Sequence, residues 1–299
     1  MITFQDLSLI TPLRNAITEL GFAKPTPIQQ KSFSVVRSGA DVVGIAQTGT
    51  GKTLAYMLPI LHDLKYSKID TPRVLVLVPT RELVIQVVDR INEFSLYMNV
   101  RVLGVFGGTN INTQKNACSL GVDIIVATPG RLYDLAACRA LQLKSVKQLV
   151  IDEVDIMLDL GFRAQLTNIF SILKKHRQNI MFSATMTEDV DSLIDEYFIK
   201  PKKISIAVSG TPLDNITQQC FNVKNFYTKL NLLKYILSDR EVFSKVLVFV
   251  TNKKHADIIF DSLNECFGTE LCVIHSNKTQ NYRIRSIQQF DEGVNRILV

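Results

Sequence analysis

Short apolar runs, each about the length of a strand, recur through the first part of this chain and alternate with longer amphipathic stretches. They are DVVGIA (41–46), RVLVLVP (73–79), VRVLGVF (100–106), VDIIVAT (122–128), KQLVID (147–152) and QNIMFSA (178–184). Most lack a strict apolar–polar alternation, which is the pattern of strands covered on both faces of a parallel sheet. Stretches such as RELVIQVVDRINEFSLY (81–97) and RAQLTNIFSILKKH (163–176) read as the intervening helices. Strands alternating with helices predict an α/β, doubly wound architecture.

The pattern pauses at IAVSGTPLDNIT (206–217), where Ser, Gly, Thr, Pro, Asp and Asn cluster as in a linker. A second series follows: strand CFNV (220–223), helix 227–239, strand KVLVFV (245–250), helix 255–266, strand LCVIH (271–275), helix 280–293 and strand RILV (296–299). A chain of 299 residues has room for two domains. The expected division is 1–206, a linker at 207–214, and 215–299. The last run reaches the final residue, so the second domain is expected to be truncated.

Composition narrows the class. With 46% hydrophobic and 21% charged residues the chain is globular rather than disordered. Its net charge of +6 favours an anionic partner. The five cysteines are odd in number and form no CxxC, which suits reduced thiols. No basic leader and no membrane-length apolar run is visible. The expectation is a soluble, cytoplasmic monomer without membrane attachment.

Chemistry concentrates at two strand ends. After the first run comes AQTGTGKT, Ala46 to Thr53. Gly49 and Gly51 let the backbone curl so that N–H groups, with those of Thr48 and Thr50, converge on phosphate oxygens. Lys52 supplies a cation to the β and γ phosphates, and Thr53 a hydroxyl to Mg²⁺. A strict GxxxxGK[ST] fails only at Ala46. The second end is QLVIDEVDIML (148–158). Ligands of open α/β sheets gather beyond the carboxyl ends of strands. There Asp152 can hold Mg²⁺, directly or through water, and Glu153 can orient and deprotonate the attacking water. Asp155 could simply cap the next helix.

Taken together, the chain resembles the DEAD-box family of superfamily 2 RNA helicases. AQTGTGKT matches motif I, whose family form accepts alanine first. IDEVD (151–155) matches motif II, with Val154 where alanine is usual. GFAKPTPIQ (21–29), with the isolated Phe4 upstream, resembles the Q motif. PTREL (79–83), GG (107–108), TPGR (128–131) and SAT (183–185) match motifs Ia, the glycine pair, Ib and III. VLVFVTNKK (246–254) and HSNKTQNYR (275–283) resemble the start of the second domain, with Ser276 and Asn277 in place of the usual glycine. The resemblance implies two RecA-like domains in tandem, with ATP and Mg²⁺ as cofactors and RNA as partner.

It also assigns roles. Gln29 would read the adenine edge with its amide, Phe22 would offer a stacking face, and Phe4 would support the same pocket. Read without the motif, Phe4 is a core residue of an amphipathic helix. RNA contacts fall to Thr80, Arg81, Gly108, Thr128, Arg131 and, in the second domain, Arg283, residue types that suit phosphate and 2′-OH recognition. Ser183 and Thr185 would couple hydrolysis to strand separation through Asp155. An ATP-dependent RNA clamp or assembly platform would use the same motifs. Motifs V and VI, the latter carrying arginine fingers, would lie beyond residue 299, so this chain is expected to bind ATP but hydrolyse it poorly. The four scattered histidines read as structural, and the basic run Lys174, Lys175, His176 and Arg177 as a helix-end charge cluster. Substituting Val154 by Ala is expected to change turnover less than about tenfold.

Overall fold

The structure, a computed structural model, describes residues 3–206 and 216–299. The chain divides into two compact units, Met1–Pro212 and Leu213–Val299. The expected linker at 207–214 lies outside the described residues.

In the first unit seven strands form one sheet: β1 (Val42–Ile45), β2 (Val74–Leu77), β3 (Val102–Val105), β4 (Ile124–Ala127), β5 (Gln148–Ile151), β6 (Gln178–Ser183) and β7 (Lys202–Ser205). Their spatial order is β3-β4-β2-β5-β6-β1-β7, and every neighbouring pair is parallel. Among the described residues nine α-helices accompany them: α1 (Thr11–Glu19), α2 (Pro27–Arg37), α3 (Lys52–Asp63), α4 (Arg81–Phe94), α5 (Ile111–Ser119), α6 (Pro129–Ala137), α7 (Val154–Asp159), α8 (Arg163–Ile172) and α9 (Glu188–Tyr197).

The continuous apolar runs are explained by the two cores they serve. Successive strand side chains point to opposite faces. Val74 and Val76 of β2 enter a core shared with α1 to α4, while Leu75 and Leu77 enter a second core shared with α6 to α9. Both faces are covered, so the central strands have no solvent-facing row of polar alternates; the polar Gln178, Asn179 and Ser183 at the ends of β6 are themselves buried. The six expected runs all become strands. The seventh strand, β7, was not expected. Its sequence KKIS is too polar to stand out, because as an edge strand it buries only Ile204.

The second unit contains α10 (Phe226–Ser238), β8 (Val246–Leu247), α11 (Lys253–Phe267), β9 (Leu271–Cys272), α12 (Gln280–Asp291) and β10 (Ile297–Leu298). Its three short parallel strands follow the order β8-β10-β9. The expected strand at 220–223 is absent. Those residues are largely exposed and pair with no strand among the described residues, so nothing there would satisfy an extended backbone. None of the five cysteines is in a disulfide. Among the described residues no helix is long and apolar enough to cross a membrane.

Candidate active site

Every strand of the larger sheet points the same way, so the loops after their carboxyl ends share one edge. The loop after β1 ends on Gly49 and Gly51, both left-handed with φ of 80° and 82°. At Gly51 a Cβ would also collide with the amide of Gln29, so only glycine serves. The Gln29 Nε2 donates to the Gly51 carbonyl at 3.1 Å, and its Oε1 accepts from the Thr26 N–H at 2.9 Å. Thr26 Oγ1 donates to the Thr50 carbonyl at 2.9 Å, and Thr50 Oγ1 to the Gln47 carbonyl at 2.7 Å. The start of α2 is thus bonded directly to the glycine loop. Gln29, expected to read adenine, also braces the phosphate loop.

Lys52 opens α3. It is 6% exposed, and its Nζ has no hydrogen-bond partner among the described residues. A buried ammonium without a partner is costly, and an anionic ligand would satisfy it. Across from it β5 delivers Asp152 and Glu153. Burial pushes the Asp152 carboxyl up, against the lowering effect of the Lys52 charge. Burial and then the neighbouring Asp152 charge push Glu153 up too. Glu153 is left-handed, with φ of 54°, at a cost of about 1–2 kcal/mol for a residue with a side chain. Its N–H donates to Asp152 Oδ1 at 3.0 Å, which fixes the turn between the two acids. Fully buried Tyr56 of α3 sets its hydroxyl near Thr53 and Asp152, short of hydrogen-bond geometry with either, and burial raises its phenol well above the ordinary range.

Asp155 lies inside α7 rather than at its cap. Its Oδ2 accepts from the N–H groups of Ala184 (3.2 Å) and Thr185 (2.9 Å) and from Thr185 Oγ1 (2.9 Å). Ser183 does not reach it; its Oγ donates to the Thr185 carbonyl at 2.6 Å. Of the link expected through Ser183 and Thr185, the structure makes the Thr185 bond, adds the Ala184 amide, and does not make the Ser183 one. Val154, fully buried, packs in the core beneath the acids.

The loops after β2, β3 and β4 form the other half of the edge. Thr80 caps α4, its Oγ1 accepting from Leu83 N–H at 3.3 Å. Gly108 is left-handed, and the Arg81 guanidinium occupies the space its Cβ would take. Thr128 is buried at the cap position of α6. Arg131 donates from one terminal nitrogen to Gln114 Oε1 at 3.0 Å and from the other to the Thr109 carbonyl at 3.1 Å. Its side chain is only 10% exposed. It therefore braces the glycine loop.

A cavity of about 530 Å³ gathers Phe4, Phe22, Gln29, Thr48, Gly49, Gly51, Lys52, Thr53, Asp152 and Glu153. The two expectations for Phe4 meet here: it is buried in a short 3₁₀ turn and lines the cavity. A model of the DEAD/DEAH box helicase family matches residues 26–193, more than half of the chain. The chain belongs to that family. A model of the helicase conserved C-terminal domain matches residues 228–299. An Arabidopsis thaliana protein named DEAD-box ATP-dependent RNA helicase 30 is 36% identical over all of this chain and 51% of its own length. The Dictyostelium discoideum ATP-dependent RNA helicase ddx23 is 34% identical over 99% of this chain and 39% of its own. A rice protein named DEAD-box ATP-dependent RNA helicase 20 is 34% identical, with 60% of its length covered. The chain thus spans about half the length of the curated relatives it matches.

Against the family pattern, ten of the expected nucleotide residues share one cavity. Ala46 and Thr50 shape the loop behind it: the Ala46 N–H donates to the Ser183 carbonyl at 3.0 Å. Sequence reasoning missed Lys24 and the α4 residues Leu83, Gln86, Val87, Arg90 and Phe94, which wall the same cavity. The α4 residues look in the sequence like those of any amphipathic helix, and nothing signals that one face of it borders a ligand space. In the second unit Arg283 NH1 donates to Gln280 Oε1 at 3.3 Å on its own helix. His275, beside the departure at Ser276 and Asn277, bonds Asp257 at 2.9 Å and accepts from the Asn277 N–H at 3.3 Å.

Proposed function

We propose that this chain is the ATP-binding engine of an RNA helicase, coupling ATP binding and hydrolysis to the separation of RNA strands. The observation that carries the reading is the buried, unpartnered Lys52 ammonium in a cavity walled by two glycines, Thr53, Asp152 and Glu153. Loop N–H groups and the N-terminal end of α3 would hold phosphates. Lys52 would neutralise the β and γ oxygens. Gln29 and Phe22 would bind the base. Glu153, its carboxyl raised by burial and by Asp152, would orient the attacking water and take its proton. Asp155 would pass changes at the γ-phosphate to residues 183–185 through its bonds to Ala184 and Thr185.

Mg²⁺ fits this donor set. Among the described residues no group of three His, Cys, Asp or Glu could cage a metal ion. One carboxylate and one hydroxyl, completed by phosphate oxygens and water, is how Mg²⁺ is commonly held beside a nucleotide. Asp152 and Thr53 would hold it, and its charge would offset that developing on the phosphates.

RNA as the partner rests on Thr80, Arg81, Gly108, Thr128 and Arg131 lying on three adjacent loops of one sheet edge, and on the names of the relatives. Filter retention of labelled single strands tests the reading. RNA should be retained more with a non-hydrolysable ATP analogue than without it, and DNA should not. Equal retention of DNA, or retention indifferent to nucleotide, would refute it. A cytoplasmic location accords with the reduced cysteines and stays part of this proposal.

A further inference from the structure

The helices that follow the strands run back across the sheet, so α6 and α8 end at its amino edge, away from the nucleotide. There the last turn of α6, the connection from Arg139 to Lys144 and the end of α8 enclose a hollow of about 460 Å³. Its floor is Leu141 and Leu143, both nearly buried. On its walls Ile172 and Tyr133 stand 44% and 36% exposed. Arg139, Lys144 and Lys174 surround it, all exposed, and none makes a side-chain ion pair among the described residues.

The basic run at 174–177 thus splits in two. Arg177 turns inward: its Nε donates to Asn179 Oδ1 at 2.9 Å, one terminal nitrogen donates to the Lys174 carbonyl at 2.6 Å, and the group lies over the Phe170 ring. Lys174 turns to the hollow. The helix dipole accounts for cations just past the ends of α6 and α8. It does not account for Lys144, which lies in a connection, nor for two large apolar side chains left in water between three cations.

We propose that this hollow docks an acidic segment of a partner protein, which inserts one bulky apolar side chain between Ile172 and Tyr133 and sets its carboxylates against Arg139, Lys144 and Lys174. The charges are complementary, and the apolar centre within a polar rim is the anatomy of a peptide anchor site. A nucleic-acid backbone would meet the cations but leave the apolar walls uncovered. A membrane would need a protruding apolar face rather than a recess.

Fluorescence anisotropy on the intact chain tests this, with a labelled short peptide carrying one phenylalanine between glutamates. Binding should weaken at least about tenfold when that phenylalanine becomes serine, with Ile172→Asp, and with Lys144→Glu and Lys174→Glu combined. Circular dichroism and Mg²⁺-ATP affinity, read on the same samples, should not change. The charge-reversal pair is wholly on the surface and keeps the test open if Ile172→Asp folds poorly. No binding, or binding indifferent to the phenylalanine, overturns the proposal. So does preferential capture of oligouridylate or phosphatidylserine vesicles that is lost in the charge-reversal pair.

Discussion

On one half of the sheet's carboxyl edge, after β5, β6 and β1, Lys52 keeps its ammonium buried without a protein partner, and Asp155 leaves one carboxylate oxygen unbonded. On the other half, after β3, β4 and β2, Arg131 ties both terminal nitrogens to Gln114 and Thr109, with only its inner Nε left without a hydrogen bond among the described residues, and Thr80 caps α4. The difference lies in the charged heads: the Lys52 ammonium has no hydrogen bond among the described residues, whereas the Arg131 guanidinium is held by two. A nucleotide with Mg²⁺ brings concentrated charge that can displace water from buried, waiting groups. A nucleic-acid backbone is more often met by a rigid surface of amides, helix N-termini and hydroxyls. Both halves hold their loops in shape, but the nucleotide half keeps a buried cation waiting at its centre while the other half uses its cation for the bracing.

The sharpest way to break this contrast is at Glu153. Glu153→Gln keeps the size and the left-handed turn but removes the base. In the complete protein, turnover should fall at least about a hundredfold, with ATP affinity held within a few fold. Steady-state hydrolysis beside nucleotide titration reads both; undiminished turnover would remove Glu153 from the chemistry.

Asp155 comes next. Asp155→Ala leaves the Ala184 and Thr185 amides and the Thr185 hydroxyl without their acceptor, so denaturant unfolding should show a loss of about 3 kcal/mol. A loss near zero would mean that water replaces the carboxylate and that the link to residues 183–185 is loose.

Arg131 tests the other half. Arg131→Ala should cost about 1–3 kcal/mol of stability, and Arg131→Lys should not restore it, because an ammonium cannot span Gln114 and Thr109 together. Weakened RNA binding with unchanged stability would show instead that Arg131 is a direct contact.

The smallest effect concerns Asp152. Its folded carboxyl is raised above the ordinary value of 3.8 by burial, so the native state binds the proton more tightly than the unfolded chain. Stability then falls as pH rises from that value through the raised one, and the full penalty is present at neutral pH. Asp152→Asn removes the penalty. Its Tm at neutral pH should exceed the parent's slightly, with the gap closing as pH is lowered toward 4; a lower Tm at neutral pH would mean that attraction to Lys52 outweighs burial.

Much of this was legible in the sequence because it is written in contiguous residues. Runs without polar alternates mark doubly covered strands, and GKT and Asp152–Glu153 sit directly at strand ends. What was not legible depends on residues brought together by the fold. The polar β7 needs β1 beside it to count as a strand. The cavity-facing side of α4 is chemically ordinary. The left-handed backbone of Glu153 and the turn of Ser183 toward the Thr185 carbonyl are local geometry that no residue type announces. Arg131 read as a cation for RNA because its two acceptors lie 17 and 22 residues earlier in the chain.

The contrast between waiting and engaged groups is tested most directly at Lys52, with Lys52→Met, which keeps the length of the side chain and removes the charge. Titration calorimetry with Mg²⁺-ATP and unfolding of the ligand-free protein would be run on the same preparation. The expected result is an ATP affinity at least about a hundredfold weaker, with the ligand-free protein at least as stable as the parent, because a buried charge without a hydrogen bond has been removed. Unchanged ATP affinity, or a ligand-free protein that is severely destabilised, would contradict the account, since Lys52 would then serve the fold rather than await a ligand.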